Sequence, residues 1–278
     1  MPLVTLYFQL HQPCRLHPER GKFLWEEKNR EIFLKVAEKC YLPATRLFTE
    51  LIALHPGFKI TLSMSGIFLE QAEQYQPEVI KTLQELLQAG SDRDQVEFLD
   101  ETYYHSLASL FSDPHSEEFR AQVSLHREKI RRLFGIFPTS FRNTELMYNN
   151  HIAEVVADMG YLSLLCEKRD DMFQNHDMPV SPNAVFRAKG TSLIVLPRNR
   201  ELSDDIAFRF PHRPVTPDEY ASYLARIDGE GVFLGFDFEH IGEHLWADTG
   251  IFEFWRGLPA CLEKHENIIL ANPSDVAR

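Results

Sequence analysis

Short apolar runs alternate with helical stretches along the whole chain, and this alternation limits the fold more than any other feature of the 278 residues. Runs lie at Leu3–Leu10, Lys59–Met64, Val96–Leu99, Pro138–Phe141, Tyr161–Cys166, Ser192–Leu196, Val232–Phe236 and Ile268–Leu270. They are too short for helices and are bounded by Gly, Pro, Asn and Asp, so they read as buried strands. Helical spacing fills the intervals. One helix is expected from about Glu31 to Leu54, kinked or divided at Pro43, and another over Pro77–Gln88. Ser116, Asn150 and Thr249 read as caps of three further helices. Thr216-Pro-Asp-Glu219 is a capping box with Pro at the first helical position. Residues 167–184 read as a long polar loop. Strand–helix alternation builds a parallel sheet with helices outside it, either a barrel or a doubly wound sheet. No Gly-x-Gly-x-x-Gly or Walker pattern follows any run, so a nucleotide-binding fold has no support. With no internal repeat and no linker, one domain over residues 1–278 is expected.

Charge narrows the partners. Twenty-nine basic against 41 acidic residues give a net charge of −12, which argues against nucleic acid or an anionic membrane as partner. No run approaches the ~20 apolar residues needed to span a bilayer. Pro2–Leu10 lacks a basic leading segment and a cleavage site, so it reads as a first strand and not a signal. The four cysteines form no Cys-x-x-Cys pair. Cys40 and Cys166 sit in apolar surroundings and read as buried thiols, which suits a reduced, cytoplasmic protein. No cofactor is expected, and the oligomeric state is open.

The chemistry gathers where the strands end. Val232–Phe236 runs straight into Asp237, Glu239, His240, Glu243 and His244. Phe141 runs into Arg142-Asn-Thr-Glu145. A strand that buries itself and then presents acids at its C-terminal end is what an α/β barrel places in an active site. The plain alternative is a solvated loop, with Glu145 a helix-start charge. Two carboxylates on different strands, Glu145 and Asp237, are what glycoside cleavage requires: one protonates the leaving oxygen, the other attacks or activates water. Arg142 and Asn143 would favour an ionised Glu145, and a charged Glu239 would favour a protonated Asp237. His11, His105, His240 and His244 also follow strand ends. His240 and His244, four apart, would share a helix face and could hold a metal with Asp237. That is the rival reading, a metal-dependent deacetylase-like hydrolase, and Gly242 between them weakens it, so no metal is expected. Tyr103, Tyr104, Phe238 and Trp246 offer aromatic faces for sugar rings. Phe252, Phe254 and Trp255 fall at helical spacing and read as core.

On these residues the chain resembles glycoside hydrolase family 57. His11-Gln12-Pro13 matches that family's first motif and Val96-Glu97 through His105-Ser-Leu its second. Phe141-Arg-Asn-Thr-Glu145 matches the third, which holds the nucleophile, and Asp237-Phe-Glu-His-Ile-Gly-Glu-His244 the fourth. The resemblance implies an incomplete (β/α)7 barrel of the TIM type and a retaining mechanism on α-1,4-glucans or maltooligosaccharides. Glu145 would be the nucleophile and Asp237 the general acid/base. His11, Gln12, Glu97, His105, Glu239, His244 and Trp246 would bind substrate. Hydrolysis and transfer to another glucan pass through one glycosyl-enzyme, so the sequence does not separate α-amylase from 4-α-glucanotransferase. Phe238, His240-Ile241 and Leu245 depart from the fourth motif. The family's Trp-rich fifth motif and C-terminal helical region have no counterpart, which implies a shortened or minimal member, or a glucan-binding homologue with little turnover. Eight candidate strands exceed the implied seven, so one short strand is expected to be miscalled or to lie outside the barrel.

Overall fold

The computed structural model describes residues 2–168, 181 and 183–278. Its first strand, β1 (Leu3–Leu10), is an apolar run buried along nearly its whole length. It pairs in parallel with β2 (Ile60–Met64) on one side. Such two-sided burial is what a strand covered by helices outside and side chains inside requires. β2 pairs with β3 (Val96–Leu99), and β4 (Ser140–Arg142) with β5 (Ser163–Glu167), again in parallel. A two-residue strand, β6 (Phe186–Arg187), runs antiparallel beside β7 (Ile194–Arg198). β7 pairs with β5 and, through Arg198 and Phe233 alone, with β8 (Gly231–Asp237). β8 closes the circuit on the far side of β1. The order is therefore β3-β2-β1-β8-β7-β5-β4. A single parallel bridge, Asp100 to Phe141, brings β4 back towards β3. This is a nearly closed seven-stranded parallel barrel with helices outside, the expected (β/α)7 architecture. The last strand, β9 (Ile269–Leu270), pairs with β1 but lies off this ring, which accounts for the eighth run in the sequence.

Alternation along each strand sorts the interior into layers. Tyr7, Leu99, Leu165, Leu196 and Phe233 meet in one apolar cluster with Leu146. They are the inward residues at mid-strand and form a floor. One pleat further towards the C-terminal ends come Gln9, Glu101, Arg142, Glu167 and Arg198, and on β8 Gly235, with Asp237 one pleat beyond it. Polarity at the mouth is thus written into the parity of the strands. The larger apolar cluster, with Phe8, Phe48, Phe236 and Trp255, lies between β1, β8 and the outer helices.

Several local expectations need correction. The helix expected from Glu31 starts at Glu26 and is divided before Pro43, by a π turn at Ala37–Tyr41. Pro43 has no N–H to return to the preceding turn, so the ladder widens there. Ser116 does not cap Glu117–Phe134; its φ is 52° and its side chain makes no cap bond. Asp113 accepts from the Glu117 N–H instead. Asn149, not Asn150, caps the helix Asn150–Asp158. Gly250 takes the cap position assigned to Thr249. The helices Gly66–Tyr75 and Arg200–Ala207 were not expected. Glu167 belongs to β5, and most of the loop assigned to 167–184 lies outside the described residues. The capping box at Thr216 is present.

Candidate active site

Two cavities meet at the barrel mouth, of about 190 and 480 Å³, and Gln9, Arg142, Glu145 and Asp237 line both. Asp237 ends β8, and Glu145 sits in a tight turn after β4 with φ 55°. The two carboxylates proposed from sequence therefore face one space, as parallel strands in a barrel dictate.

Glu145 is held by a partner across the mouth. His105 Nε2 lies 3.2 Å from Glu145 Oε1. This bond, opposed by partial burial and helped by the Arg142 charge, pulls the Glu145 pKa below the ordinary carboxylate range. Burial works against a charge on His105, but bonds to Glu101 and Glu145 outweigh it and raise its pKa. Its Nδ1 stands 3.7 Å from Glu101 Oε2. Glu101 is fully buried beside Arg142 at 3.5 Å, and Gln9 Nε2 donates to both of its oxygens at 3.1 and 3.2 Å. Burial alone would raise the Glu101 pKa; the His105 bond and the Arg142 charge bring it down. Gln9 is itself fixed from below, since Tyr7 and Ser63 hydroxyls donate to its Oε1 at 2.6 Å. The ring of His11 stacks on His105 at 4.0 Å between centroids. Burial, then the neighbouring His105 charge, lowers the His11 pKa to about 4, so it is neutral.

Glu239 is placed differently from expectation. It is buried behind the turn, where Tyr41 donates to its Oε1 at 2.6 Å and the His11 N–H at 3.3 Å. Burial pushes its pKa up to about 8, with a contribution from Asp237. A carboxyl that is neutral at pH 7 does not supply the negative charge expected beside Asp237. Glu97 is corrected outright. It occupies the inward position two pleats below the mouth on β3, where Ser140 donates to one oxygen at 2.5 Å and the Ser274 N–H to the other at 3.0 Å. It lines a separate cavity on the far side of the apolar floor. Glu101, four residues on and just past the end of β3, is the carboxylate that reaches the mouth. Gln12, His11, His105, Glu239 and His244 line the larger cavity. Trp246 is 59% exposed, lines neither cavity, and has the Lys39 amine 4.8 Å from its ring centroid. Phe238 is core, not platform, and so are Phe254 and Trp255. Tyr103 is buried, donating to Glu70 at 2.5 Å, while Tyr104 is exposed.

His240 and His244 do not share a helix face. Residues 238–240 form one 3-10 turn, and His240 Nδ1 faces the Asp237 carbonyl at 3.0 Å. Among the described residues, no group of three His, Cys, Asp or Glu side chains is arranged to hold a metal ion. Sequence reasoning passed over Gln9, Glu101, Glu167 and Arg198 as site residues. Strand parity was the signal that finds them: Gln9, Glu167 and Arg198 are the last inward residues of their strands, and Glu101 keeps the same parity two residues past β3.

A family model for glycosyl hydrolase family 57 matches residues 5–278. The chain belongs to glycosyl hydrolase family 57. A Methanocaldococcus jannaschii protein whose alpha-amylase name is provisional is 40% identical over 287 residues, covering 99% of this chain and 59% of that protein. The chain thus spans well under two thirds of that relative's length. Among solved structures, a 4-alpha-glucanotransferase from Thermococcus litoralis superposes with a TM-score of 0.73 at 18% identity, over 99% of this chain and 40% of that one. A family 57 branching enzyme from Thermococcus kodakaraensis gives 0.70 at 13% identity, over 98% and 70%. At those identities the likeness is one of fold. No helix among the described residues is long and apolar enough to cross a membrane.

Proposed function

We propose that this family 57 chain is a retaining glycoside hydrolase acting on α-1,4-glucans, with Glu145 as nucleophile and Asp237 as general acid/base. The observation that carries the reading is the shared lining: both carboxylates border both cavities, so a glycosidic bond spanning the two would lie between them. The names of the M. jannaschii relative and the T. litoralis structure support an α-glucan as substrate. In the first step Glu145 attacks the anomeric carbon. Asp237 protonates the departing glycosidic oxygen. In the second, Asp237 takes the proton from water or from a glucan hydroxyl as that oxygen displaces Glu145. Water gives hydrolysis and a glucan hydroxyl gives transfer. His105 and Arg142 keep Glu145 ionised and therefore nucleophilic. His11, Gln12 and His244 on the larger cavity supply polar groups for sugar hydroxyls. All four cysteines are unpaired, which supports a reducing, cytoplasmic site of action.

Incubation of chelator-treated protein with maltooligosaccharides, followed by chromatography of the products, tests the reading. Shorter and longer oligosaccharides are expected without added metal. Turnover that returned only on adding a divalent ion would instead support a metal-dependent hydrolase.

A further inference from the structure

The smaller cavity holds a carboxylate that neither the pairing at the mouth nor the reaction above uses. Glu167 is the last residue of β5 and lines this cavity with Arg198, Phe208 and Gly235. Among the described residues its Oε1, which is buried, has no hydrogen-bond partner. Among them too, its Oε2 has a long contact alone, 3.5 Å from Arg198 Nη1. Arg198 does not depend on it: the Arg198 Nε donates to the Gly235 carbonyl at 2.9 Å and Nη2 to Asp204 at 2.8 Å. The carboxylate is therefore not explained as an anchor. Leaving an acceptor both buried and unpaired is costly. Such atoms at a pocket wall are natural partners for a ligand hydroxyl.

A missing side chain makes room for Arg198 against β8. Gly235 takes the inward position of β8 between Phe233 and Asp237. A Cβ there would come within 3.2 Å of Arg198 Cδ and 3.3 Å of the Phe233 ring. Phe208, 62% exposed, forms an apolar wall beside it. An acceptor on one wall, a guanidinium beside it and an aromatic face on another are the groups that recognise a neutral pyranose. The 190 Å³ they enclose suits a single ring.

Building on the reaction proposed above, we propose that Glu167 is a specificity-determining residue, whose free carboxylate oxygen accepts a hydrogen bond from a hydroxyl of the sugar ring lodged in this cavity. Burial, opposed by Arg198, raises the Glu167 pKa, and a ligand hydroxyl that donates to the ionised form would bring it down again.

The test is calorimetric titration with maltotriose in a Glu145→Gln background, where turnover does not interfere. Adding Glu167→Leu should weaken binding about ten- to hundredfold, the worth of a hydrogen bond to a charged group. Adding Glu167→Gln, which keeps an acceptor but not the charge, should weaken it about threefold or more. Thermal melts without ligand report whether each variant folds; if the Leu variant does not, the Gln variant decides. Equal affinity in a folded double variant overturns the Glu167 assignment alone. Absence of binding by Glu145→Gln itself overturns the glucan reading, and this inference with it.

Discussion

Three of the five non-glycine residues at positive φ among the described residues, His105, Glu145 and Leu146, sit on the two turns that hold the proposed nucleophile and its partner. Each such conformation costs about 1–3 kcal/mol and persists only where surrounding contacts over-determine it. Here the contacts are the His105–Glu145 bond and the His11 stack. Glu145→Gln should lower turnover of maltooligosaccharides by about three orders of magnitude or more while leaving their binding measurable. Asp237→Asn should be rescued in part by α-glycosyl fluorides, which need no proton to depart; equal losses on fluoride and oligosaccharide would remove Asp237 from the acid role. Glu239 gives a pH signature. Its folded pKa of about 8 lies above the value in an unfolded chain. The folded state therefore holds the extra proton between about pH 4.5 and 8, and stability falls as pH rises through that window. Glu239→Gln mimics the neutral form, so denaturant midpoints at pH 5 and 8 should differ less for this variant than for the parent. An unchanged difference would mean that Glu239 does not titrate there.

Elements are locked to one another close to the site. The turn after β8 rests on the π turn at 37–41: the Cys40 Sγ–H donates to the Phe238 carbonyl at 3.3 Å, and Tyr41 bonds Glu239. Gly242, at φ 107°, makes this contact possible, because a Cβ there would collide with the Lys39 carbonyl oxygen. Gly242→Ala should cost about 1–3 kcal/mol by chemical denaturation and lower kcat as well, since it displaces the segment that carries Asp237. Stability at the parental level would contradict this packing. The π turn also shows what a sequence conceals. Pro43 pointed to a break, but the compensation lies in the turn two to six residues earlier and depends on a segment almost 200 residues away. The same holds for Glu97 and Glu101. Both are acids of one parity, Glu97 on β3 and Glu101 just past its end, and only the barrel's depth decides which one meets the site.

For the whole molecule, the alternation of runs carried the architecture, and the ends of β1, β4 and β8 carried His11, Glu145 and Asp237. The rest was hidden for a physical reason: Glu167 and Arg198 act through a ring that forms only when distant strands close on one another. Closure also separates two ends with different tasks. Below the apolar floor, Asn272 accepts from Thr61 at 3.1 Å and donates to the Asp94 carbonyl at 2.8 Å, and the Ser274 N–H meets Glu97. Glu97→Leu removes the acceptor of both the Ser140 hydroxyl and the Ser274 N–H. It should cost about 1–3 kcal/mol of stability while kcat stays near the parental value; a collapse of kcat in a well-folded variant would return Glu97 to the mouth. The central claim is covalent chemistry at Glu145, and its most direct test is to trap the glycosyl-enzyme. The protein is reacted with a 5-fluoro-α-glycosyl fluoride, digested, and its peptides are sequenced by mass spectrometry. The account predicts one added glycosyl group, on Glu145. A label on any other residue, or inversion of the anomeric centre in the product with no label at all, would contradict it.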